Sequence, residues 1–237
     1  MALNALNDYT EGITPRPLRF IEEIGDCYII VMEYLNGSRL CDIQNITTIE
    51  LCALANVLKT FNSLPVRTSS YTLQPVICNS SCMLSKVREF FGNHENIRFQ
   101  QTSEAWDLAR NWVFSKEAEH LKYAGEQVFS RGDPNLANCL WDGNTVRVVD
   151  FEYAGSTDKA YDLVDFVEHV DSRKIGEDSW RWFIEQFELS KREVVRFVNS
   201  RKLASLFWLC KFWPTSESDG DYTAFNNQFN RVRALFN

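Results

Sequence analysis

Apolar residues change their spacing several times along the chain, and each change predicts a different kind of element. Strand-like runs at residues 18–21 and 27–34 flank a Gly25–Asp26 turn and follow two prolines. Together these features predict an antiparallel hairpin near the N-terminus. In front of the hairpin, residues 3–6 are typical of the end of a helix.

Helical spacing dominates the following part of the chain. Thr47 and Glu50 form a capping-box pattern, which predicts the start of an amphipathic helix that ends near Pro65. Apolar residues at intervals of three and four predict further helices at residues 83–91 and 105–121.

A short β-rich part comes next. Residues 127–129, 139–141 and 145–150 are strand-like, and Asp-Gly-Asn at residues 142–144 predicts a hairpin turn between the last two. The stretch 131–138 has the composition of a loop. Polar loops at the ends of short strands often carry binding and catalytic residues.

After Gly155 the pattern is helical to the C-terminus. Ser190 and Glu193 predict the start of a long helix that runs to about Trp213. The sequence therefore predicts an α+β fold, in which a small β unit lies within a mostly helical body.

Composition limits the classes of function. The chain has 237 residues, 45% of them hydrophobic, which is enough apolar mass for one large domain or two unequal lobes around a cleft. With 32 acidic and 25 basic residues the net charge is -7. This charge disfavours binding to nucleic acid or anionic membranes and favours cationic ligands.

Cysteine and histidine usage indicates the compartment. The seven cysteines include no CxxC pair and the three histidines lie far apart, so the sequence predicts neither a disulfide framework nor a zinc site. The N-terminus lacks a basic-then-apolar signal pattern, and no run approaches about 18 apolar residues. We expect a cytoplasmic protein without a membrane segment.

The residues that carry chemistry lie between positions 131 and 166. Asp133 and Asn138 bracket four loop residues, so their side chains can face one cavity. Asp150 ends a strand whose hairpin partner begins directly after Asn138, which predicts that Asp150 lies beside Asn138. Asp162 follows in a helix, from which its side chain can return to the loop and hold its backbone N–H groups.

These groups suit phosphoryl transfer, in which a protein mainly positions the nucleotide, neutralises charge and orients the attacking hydroxyl. Asp133 would orient or accept the proton of the substrate hydroxyl, while Asn138 and Asp150 would hold Mg²⁺ on the phosphates. Structural alternatives stay open, because Asp133 and Asn138 could be turn residues and Asp150 a strand-end cap. Glu152 could reach the metal or point to solvent.

A family resemblance rests on several motifs in order. RGDPNLAN at 131–138 and DFE at 150–152 resemble the catalytic and metal-binding loops of the aminoglycoside phosphotransferase and choline kinase superfamily, relatives of protein kinases. Their pattern is H-G-D-x-x-x-x-N followed by a D-F-E type motif. AYDL at 160–163 and a hinge-like run at 31–37 add to the resemblance, which extends over about residues 15–170.

The resemblance implies a protein-kinase-like fold with a mostly helical C-terminal lobe. Residues 1–35 would be the remnant of a nucleotide-binding β lobe with its hinge, and residues 36–237 the catalytic and substrate-binding lobe. Backbone groups of Glu33 and Leu35 would bind the base of ATP or GTP. Arg131 stands where the motif has histidine, and we expect it to support the loop as the histidine does.

The start of the chain departs from the family pattern. No lysine precedes Lys59 and no glycine-rich turn precedes the hairpin, so we expect an incomplete N-terminal lobe. The alternative to an active kinase is therefore a catalytically impaired, pseudokinase-like remnant or binding module. The exposed edge of the hairpin also predicts self-association.

The resemblance implies a small-molecule acceptor, and the charge of the chain indicates its type. Four acidic residues, Asp162, Asp165, Glu168 and Asp171, together with the negative net charge, fit a cationic substrate such as an aminoglycoside, choline or ethanolamine. Asp-Phe-Glu-Tyr-Ala after Val149 is especially similar to choline and ethanolamine kinases. The same acids could instead form a solvated helix face.

Overall fold

The structure is a computed structural model that describes residues 10, 12–24, 27–67, 72–94, 104–123 and 125–236. Two of the predicted features, the helix end at 3–6 and the Gly25–Asp26 turn, lie outside these residues. Within the described part, no helix combines the length and the apolar character needed to cross a membrane.

The elements follow one another as strands first, then helices, then a second group of strands, and finally helices. The strands are β1 (Pro17–Ile24), β2 (Cys27–Met32), β3 (Ser38–Arg39), β4 (Gln127–Ser130), β5 (Cys139–Trp141), β6 (Val146–Val148) and β7 (Gly155–Asp158). The helices are α1 (Thr48–Asn62), α2 (Ser80–Asn93), α3 (Glu104–Val113), α4 (Lys116–Glu119), α5 (Lys159–Glu168), α6 (Glu177–Glu185), α7 (Lys191–Asp219) and α8 (Thr223–Phe236).

The strands form three small sheets. β1 pairs with β2, β5 lies between β3 and β6, and β4 pairs with β7. The predicted hairpins at 18–34 and 139–150 are confirmed. β3 and β7 were not predicted, because β3 has only two residues and β7 reads Gly-Ser-Thr-Asp, which is typical of a turn.

The helix starts follow the capping signals. Thr47 and Ser190 each form a capping box with the glutamate three residues later, as predicted for α1 and α7. The helix predicted at 105–121 is wrong in its continuity, because Ser115 accepts from the backbone N–H of Ala118 and starts a new helix. α7 extends past the predicted end near Trp213 and stops before Gly220, which has φ 69°.

The chain forms two compact units. The first contains the described residues up to Val76 together with Val128–Ser156 and Asp171–Glu188. The second contains Ile77–Gln127, Thr157–Val170 and the chain from Leu189 onwards. The functional division predicted after residue 35 is a different kind of boundary, and it stays a prediction.

The second unit is built around α7. This helix packs against α2, α5 and α8, and it buries Leu203, Leu206 and Leu209 completely. Its N-terminal half is tied to α5 by an ion pair, because the Arg196 guanidinium donates to both carboxylate oxygens of Asp158 at 2.9 and 2.8 Å. Asp158 also caps α5 by accepting from the backbone N–H of Tyr161, as its position in the sequence indicated.

The β1–β2 hairpin exposes apolar side chains. Phe20 lies opposite Ile30 in the register of the two strands, and their exposed fractions are 55% and 44%. Among the described residues, each of the two strands pairs only with the other. An exposed apolar strand edge is a template for pairing with another chain.

We therefore predict self-association through this hairpin. In light scattering, the apparent mass of the protein should rise with concentration, and Phe20→Lys or Ile30→Lys should reduce that rise by placing charge on the exposed strands. Tyr34→Lys is the matched control, since Tyr34 is more exposed and lies outside both strands. A wild-type protein with the mass of one chain at every concentration would contradict the prediction.

Candidate active site

The candidate site is built on the loop that joins β4 to β5. Gly132 has φ 76°, and the Ser130 hydroxyl accepts from its backbone N–H at 3.0 Å. A Cβ atom on Gly132 would lie 2.1 Å from the carbonyl oxygen of Tyr153. The loop therefore passes so close to the chain after β6 that only glycine fits at this position.

Asp133 has two structural partners within the loop. One carboxylate oxygen accepts from the backbone N–H of Asn135 at 3.1 Å, and the other accepts from the Asn138 side-chain amide at 2.7 Å. The side chain is 23% exposed, so it is neither fully solvated nor closed off. The turn role of Asp133 is confirmed, and because the carboxylate stays accessible, its catalytic role stays a prediction.

Asn138 links Asp133 to Asp150. Its amide nitrogen is 2.7 Å from the Asp133 carboxylate and 3.3 Å from that of Asp150. The proximity follows from strand register, since Cys139 pairs with Val148 and the backbone N–H of Val149 donates to the carbonyl of Asn138. The predicted position of Asp150 beside Asn138 is confirmed.

Asp150 has an unusual backbone. Its φ is 66°, in the left-handed region that non-glycine residues seldom occupy, although aspartate tolerates it better than most. Such conformations require support from the surrounding structure and concentrate at functional sites. The support comes from the next residue, because the Phe151 ring packs against Phe61 and Phe129, with ring centroids 6.0 and 6.5 Å apart.

Arg131 lies beneath the loop with only 3% of its surface exposed. Its guanidinium reaches the carbonyl of Asn135 at 3.3 Å, the carbonyl of Asp150 at 3.5 Å and the Asp133 carboxylate at 3.5 Å. These contacts connect both halves of the site. The geometry agrees with a supporting role for Arg131, which stays a prediction.

A second support was missed by the sequence analysis. The Lys174 ammonium donates to three backbone carbonyls, those of Leu40, Cys41 and Ile43, at 2.8, 2.6 and 2.8 Å. The 3₁₀ turn Leu40–Asp42 contacts the 3₁₀ turn Leu136–Asn138 of the candidate loop. Lys174 therefore holds a segment that contacts the candidate loop. No local sequence pattern predicts this role, because the lysine lies more than 130 residues after its acceptors.

The hinge-like run has two backbone groups available for a ligand. The Glu33 N–H donates to the carbonyl of Arg16 at 2.9 Å, so it is occupied. The Glu33 carbonyl and the Leu35 N–H have no hydrogen-bond partner among the described residues. Just after the end of β2, one acceptor and one donor two residues apart therefore have no partner among the residues that the structure describes.

The acidic residues after Asp158 are not a single surface. Asp162 is buried in the first turn of α5, in the second unit, and its predicted support of the loop stays a prediction. Glu168 is buried too, and Arg201 and Arg231 donate to its carboxylate at 2.6 and 2.8 Å. The solvated-face interpretation is wrong for Asp162 and Glu168, and Glu168 is already neutralised.

The donor set fits a hard cation. Asp133, Asn138 and Asp150 bring carboxylate and carboxamide groups to one place, and such oxygens are typical Mg²⁺ ligands. Within the described part of the chain, no three histidine, cysteine, aspartate or glutamate side chains form a metal-binding group. A site here would therefore take few protein ligands and leave positions for phosphate oxygens.

Comparison with known proteins agrees with the fold. The chain resembles a choline/ethanolamine kinase family protein from Mesorhizobium loti (16% identity, 99% of this chain and 76% of that chain, TM-score 0.68). It also resembles the choline kinase LicA from Streptococcus pneumoniae (17%, 99% and 78%, TM-score 0.59). A third similar structure is the aminoglycoside phosphotransferase APH(4)-Ia in a ternary complex with ADP and hygromycin B (14%, 99% and 80%, TM-score 0.64).

These structures define the class as an α+β, kinase-like fold. The model of the phosphotransferase enzyme family (APH) matches residues 9–193, and the chain belongs to this family. No curated protein sequence matches the chain. The superfamily expected from the motifs is confirmed.

The close approach at Gly132 leads to a first prediction for the site. Gly132→Ala should lower the free energy of unfolding by more than about 2 kcal/mol, because the strained φ alone costs about 1–2 kcal/mol and the new Cβ meets a carbonyl oxygen. Gly143→Ala is the matched control, with φ 98° and no atom within 4 Å of the added Cβ. Urea denaturation that gives equal losses for the two variants would contradict the packing argument.

The three bonds of Lys174 lead to a second. Lys174→Met keeps the apolar stem and removes the donors, so we expect a loss of about 1–2 kcal/mol of unfolding free energy, since the ammonium is partly hydrated. Lys191→Met, at an exposed lysine with no ion pair to a described residue, should change stability by less than about 0.5 kcal/mol. Equal stability of the two variants would show that the turn Leu40–Asp42 does not need Lys174.

Proposed function

We propose that the protein is a Mg²⁺-dependent O-phosphotransferase that uses ATP or GTP to phosphorylate a small hydroxyl-bearing molecule of aminoglycoside, choline or ethanolamine type. The observation that carries this proposal is the position of the Asn138 amide between the carboxylates of Asp133 and Asp150. Membership of the phosphotransferase enzyme family supports the reaction class.

Asp133 is the candidate catalytic residue. Its carboxylate is partly exposed and fixed in direction by the Asn135 N–H and the Asn138 amide. A carboxylate held in this way can accept a hydrogen bond from a substrate hydroxyl and orient it toward a phosphorus atom. Arg131 keeps the loop in shape through the carbonyls of Asn135 and Asp150.

Asn138 and Asp150 are the candidate metal ligands. Each side chain carries an oxygen that can bind a metal, and strand pairing at the end of the β5–β6 hairpin keeps the two residues together. The Asn138 amide nitrogen faces Asp150 in the structure, so joint coordination would require the carboxamide to turn its oxygen to that side. Bound Mg²⁺ would neutralise the charge of the nucleotide phosphates. Glu152, two residues after Asp150, is exposed and is a further candidate metal ligand.

The hinge-like run is the candidate site for the base. The free Glu33 carbonyl and Leu35 N–H offer one acceptor and one donor, which complement the edge of a purine. The similar structures include complexes with ADP and with AMP, which supports a nucleotide co-substrate. Adenine and guanine can each pair with one donor and one acceptor, so the assay compares ATP with GTP.

A cationic acceptor is supported by the surface beside Asp150. Tyr153 is 46% exposed rather than packed away, and a hydrogen bond with the Glu152 carboxylate raises the pKa of its phenol. An exposed aromatic ring next to carboxylates attracts ammonium groups. Hygromycin B, which is bound in one of the similar structures, and choline and ethanolamine, after which the similar kinases are named, all carry amino or ammonium groups.

The direct test is a phosphotransfer assay. The protein is incubated with ATP or GTP, with and without Mg²⁺, and with choline, ethanolamine and a panel of aminoglycosides, and phosphorylated acceptor is measured by mass spectrometry. We expect acceptor-dependent product only in the presence of Mg²⁺. Nucleotide binding without product from any acceptor would favour the catalytically impaired binding protein instead.

Asp133→Asn should reduce turnover by about 10²–10⁴-fold, as loss of an orienting or general-base carboxylate does. Asparagine retains the oxygen that accepts from the Asn135 N–H, so the turn should persist, but the change removes the acceptor of the Asn138 amide and the carboxylate near buried Arg131. The free energy of unfolding of the variant is therefore measured beside its turnover. Asp178→Asn, at a highly exposed aspartate of α6, is the matched control. If Asp133→Asn keeps more than half of the wild-type rate, the catalytic assignment is wrong.

Asp150→Asn should weaken binding of the Mg²⁺–nucleotide complex by about tenfold or more, because it removes the negative charge at the metal position while leaving the shape nearly unchanged. Binding of nucleotide without metal should change little. Isothermal titration with Mg²⁺ and with EDTA measures both quantities. Equal Mg²⁺-dependent affinity in the two proteins would return Asp150 to a strand-end role.

A further inference from the structure

A groove of about 280 Å³ lies wholly within the second unit, and none of its lining residues belongs to the candidate active site. One wall is a single face of α7, formed by residues at spacings of three, four and seven: Arg192, Val195, Arg196 and Asn199. The opposite wall comes from α4 and the turn after it: Glu117, His120, Leu121 and Tyr123. The volume is close to the lower limit for small-molecule pockets.

Asn199 is a largely buried polar residue on the wall of this groove. Its surface is 7% exposed, it lines the groove, and its carboxamide has no hydrogen-bond partner among the described residues. Its polar atoms are not among the fully enclosed atoms without a partner, so the carboxamide is accessible from the groove. Amide groups of proteins are nearly always hydrogen-bonded, to protein, water or ligand. A ligand group in the groove would supply the missing partner.

The charged side chains of the groove differ in whether they already have a partner among the described residues. Arg196 is already used, since it donates to Asp158 and to the carbonyls of His120 and Leu121. Arg192 is exposed and makes no ion pair with any residue that the structure describes. Glu117 is similarly unpaired on the opposite wall, and it is the charge that competes with Arg192.

Spacing along α7 determines the shape of a ligand. Arg192 and Asn199 are seven residues apart, which corresponds to about 10 Å along a helix axis. A ligand that places its acid on the outer end of Arg192 and a separate polar group on Asn199 must be elongated. Between them the groove is lined by Val195 and Leu121, which offer apolar contact.

We propose that this groove binds an elongated organic anion, with its acid group on Arg192, an apolar middle against Val195 and Leu121, and a polar group hydrogen-bonded to the Asn199 carboxamide. The site is distinct from the proposed phosphotransfer site. Because its test measures ligand binding and not phosphotransfer, either proposal can fail while the other holds.

The probe is 3-(4-hydroxyphenyl)propionate, titrated by ligand-observed NMR. A molecule of this size should bind with a Kd on the order of 1 mM. The analogue without the hydroxyl, 3-phenylpropionate, should bind about 5–10-fold more weakly because it leaves Asn199 unpaired. Tyramine, which carries an ammonium instead of the acid, should bind at least about tenfold more weakly than the hydroxylated acid.

Four variants, one of them a control, locate the binding. Val195→Trp should abolish it by filling the groove, whereas Val198→Trp, at an exposed valine of α7 outside the groove, should leave it unchanged. Arg192→Gln should weaken the acid about 5–10-fold. Asn199→Leu should remove the difference between the two acids, and if this variant does not fold, the pair of valine variants and Arg192→Gln still decide the question.

Three results would overturn the proposal. The first is no binding of the hydroxylated acid to the wild type at about 20 mM, well above the expected Kd. The second is equal or tighter binding of tyramine, which would make Glu117 the dominant charge. The third is binding to the Val195→Trp variant with unchanged affinity, which would place the ligand elsewhere on the protein.

Discussion

The register of β5 against β6 is the constraint on which the candidate active site depends. Cys139 pairs with Val148, and one further bond, from the Val149 N–H to the Asn138 carbonyl, extends the ladder to the residue that carries the amide. A slip of one residue would turn every side chain of the strand to the other face. Asn138 and Asp150 are therefore neighbours because of backbone pairing, and their side-chain contact is a consequence.

The loop next to this hairpin contains two features that lower the stability of the fold unless neighbouring groups offset them. Arg131 is a buried cation whose carboxylate partner, Asp133, is 3.5 Å away, and Asp150 has a left-handed backbone. Buried charge and strained φ each cost free energy unless neighbouring groups hold them. The aromatic contacts of Phe151 with Phe61 and Phe129 supply apolar burial directly next to the strained residue. This arrangement is typical of a site in which position matters more than local stability.

The second unit is held together by ion pairs of a different kind. Glu168 of α5 is buried between Arg201 of α7 and Arg231 of α8, and Asp158 at the start of α5 pairs with Arg196. Each of these buried carboxylates is paired with arginine. Removal of a single partner of such a pair typically destabilises a protein by about 3–5 kcal/mol. Asp158 and Glu168 thus hold α5 to α7 and α8.

Local patterns determined much of this protein. The capping boxes at Thr47 and Ser190, the hairpin at residues 139–150 and the proximity of Asn138 to Asp150 follow from neighbouring residues and strand period, and all appear in the structure. Only the tertiary structure decided which acids are available, because the partners of Glu168 lie 33 and 63 positions away in sequence. The same reason applies to Lys174, whose carbonyl acceptors precede it by more than 130 residues, and to the unpartnered Asn199. Hydrogen bonds between distant segments depend on how helices pack, and helical periodicity alone states which face is apolar but not what that face will meet.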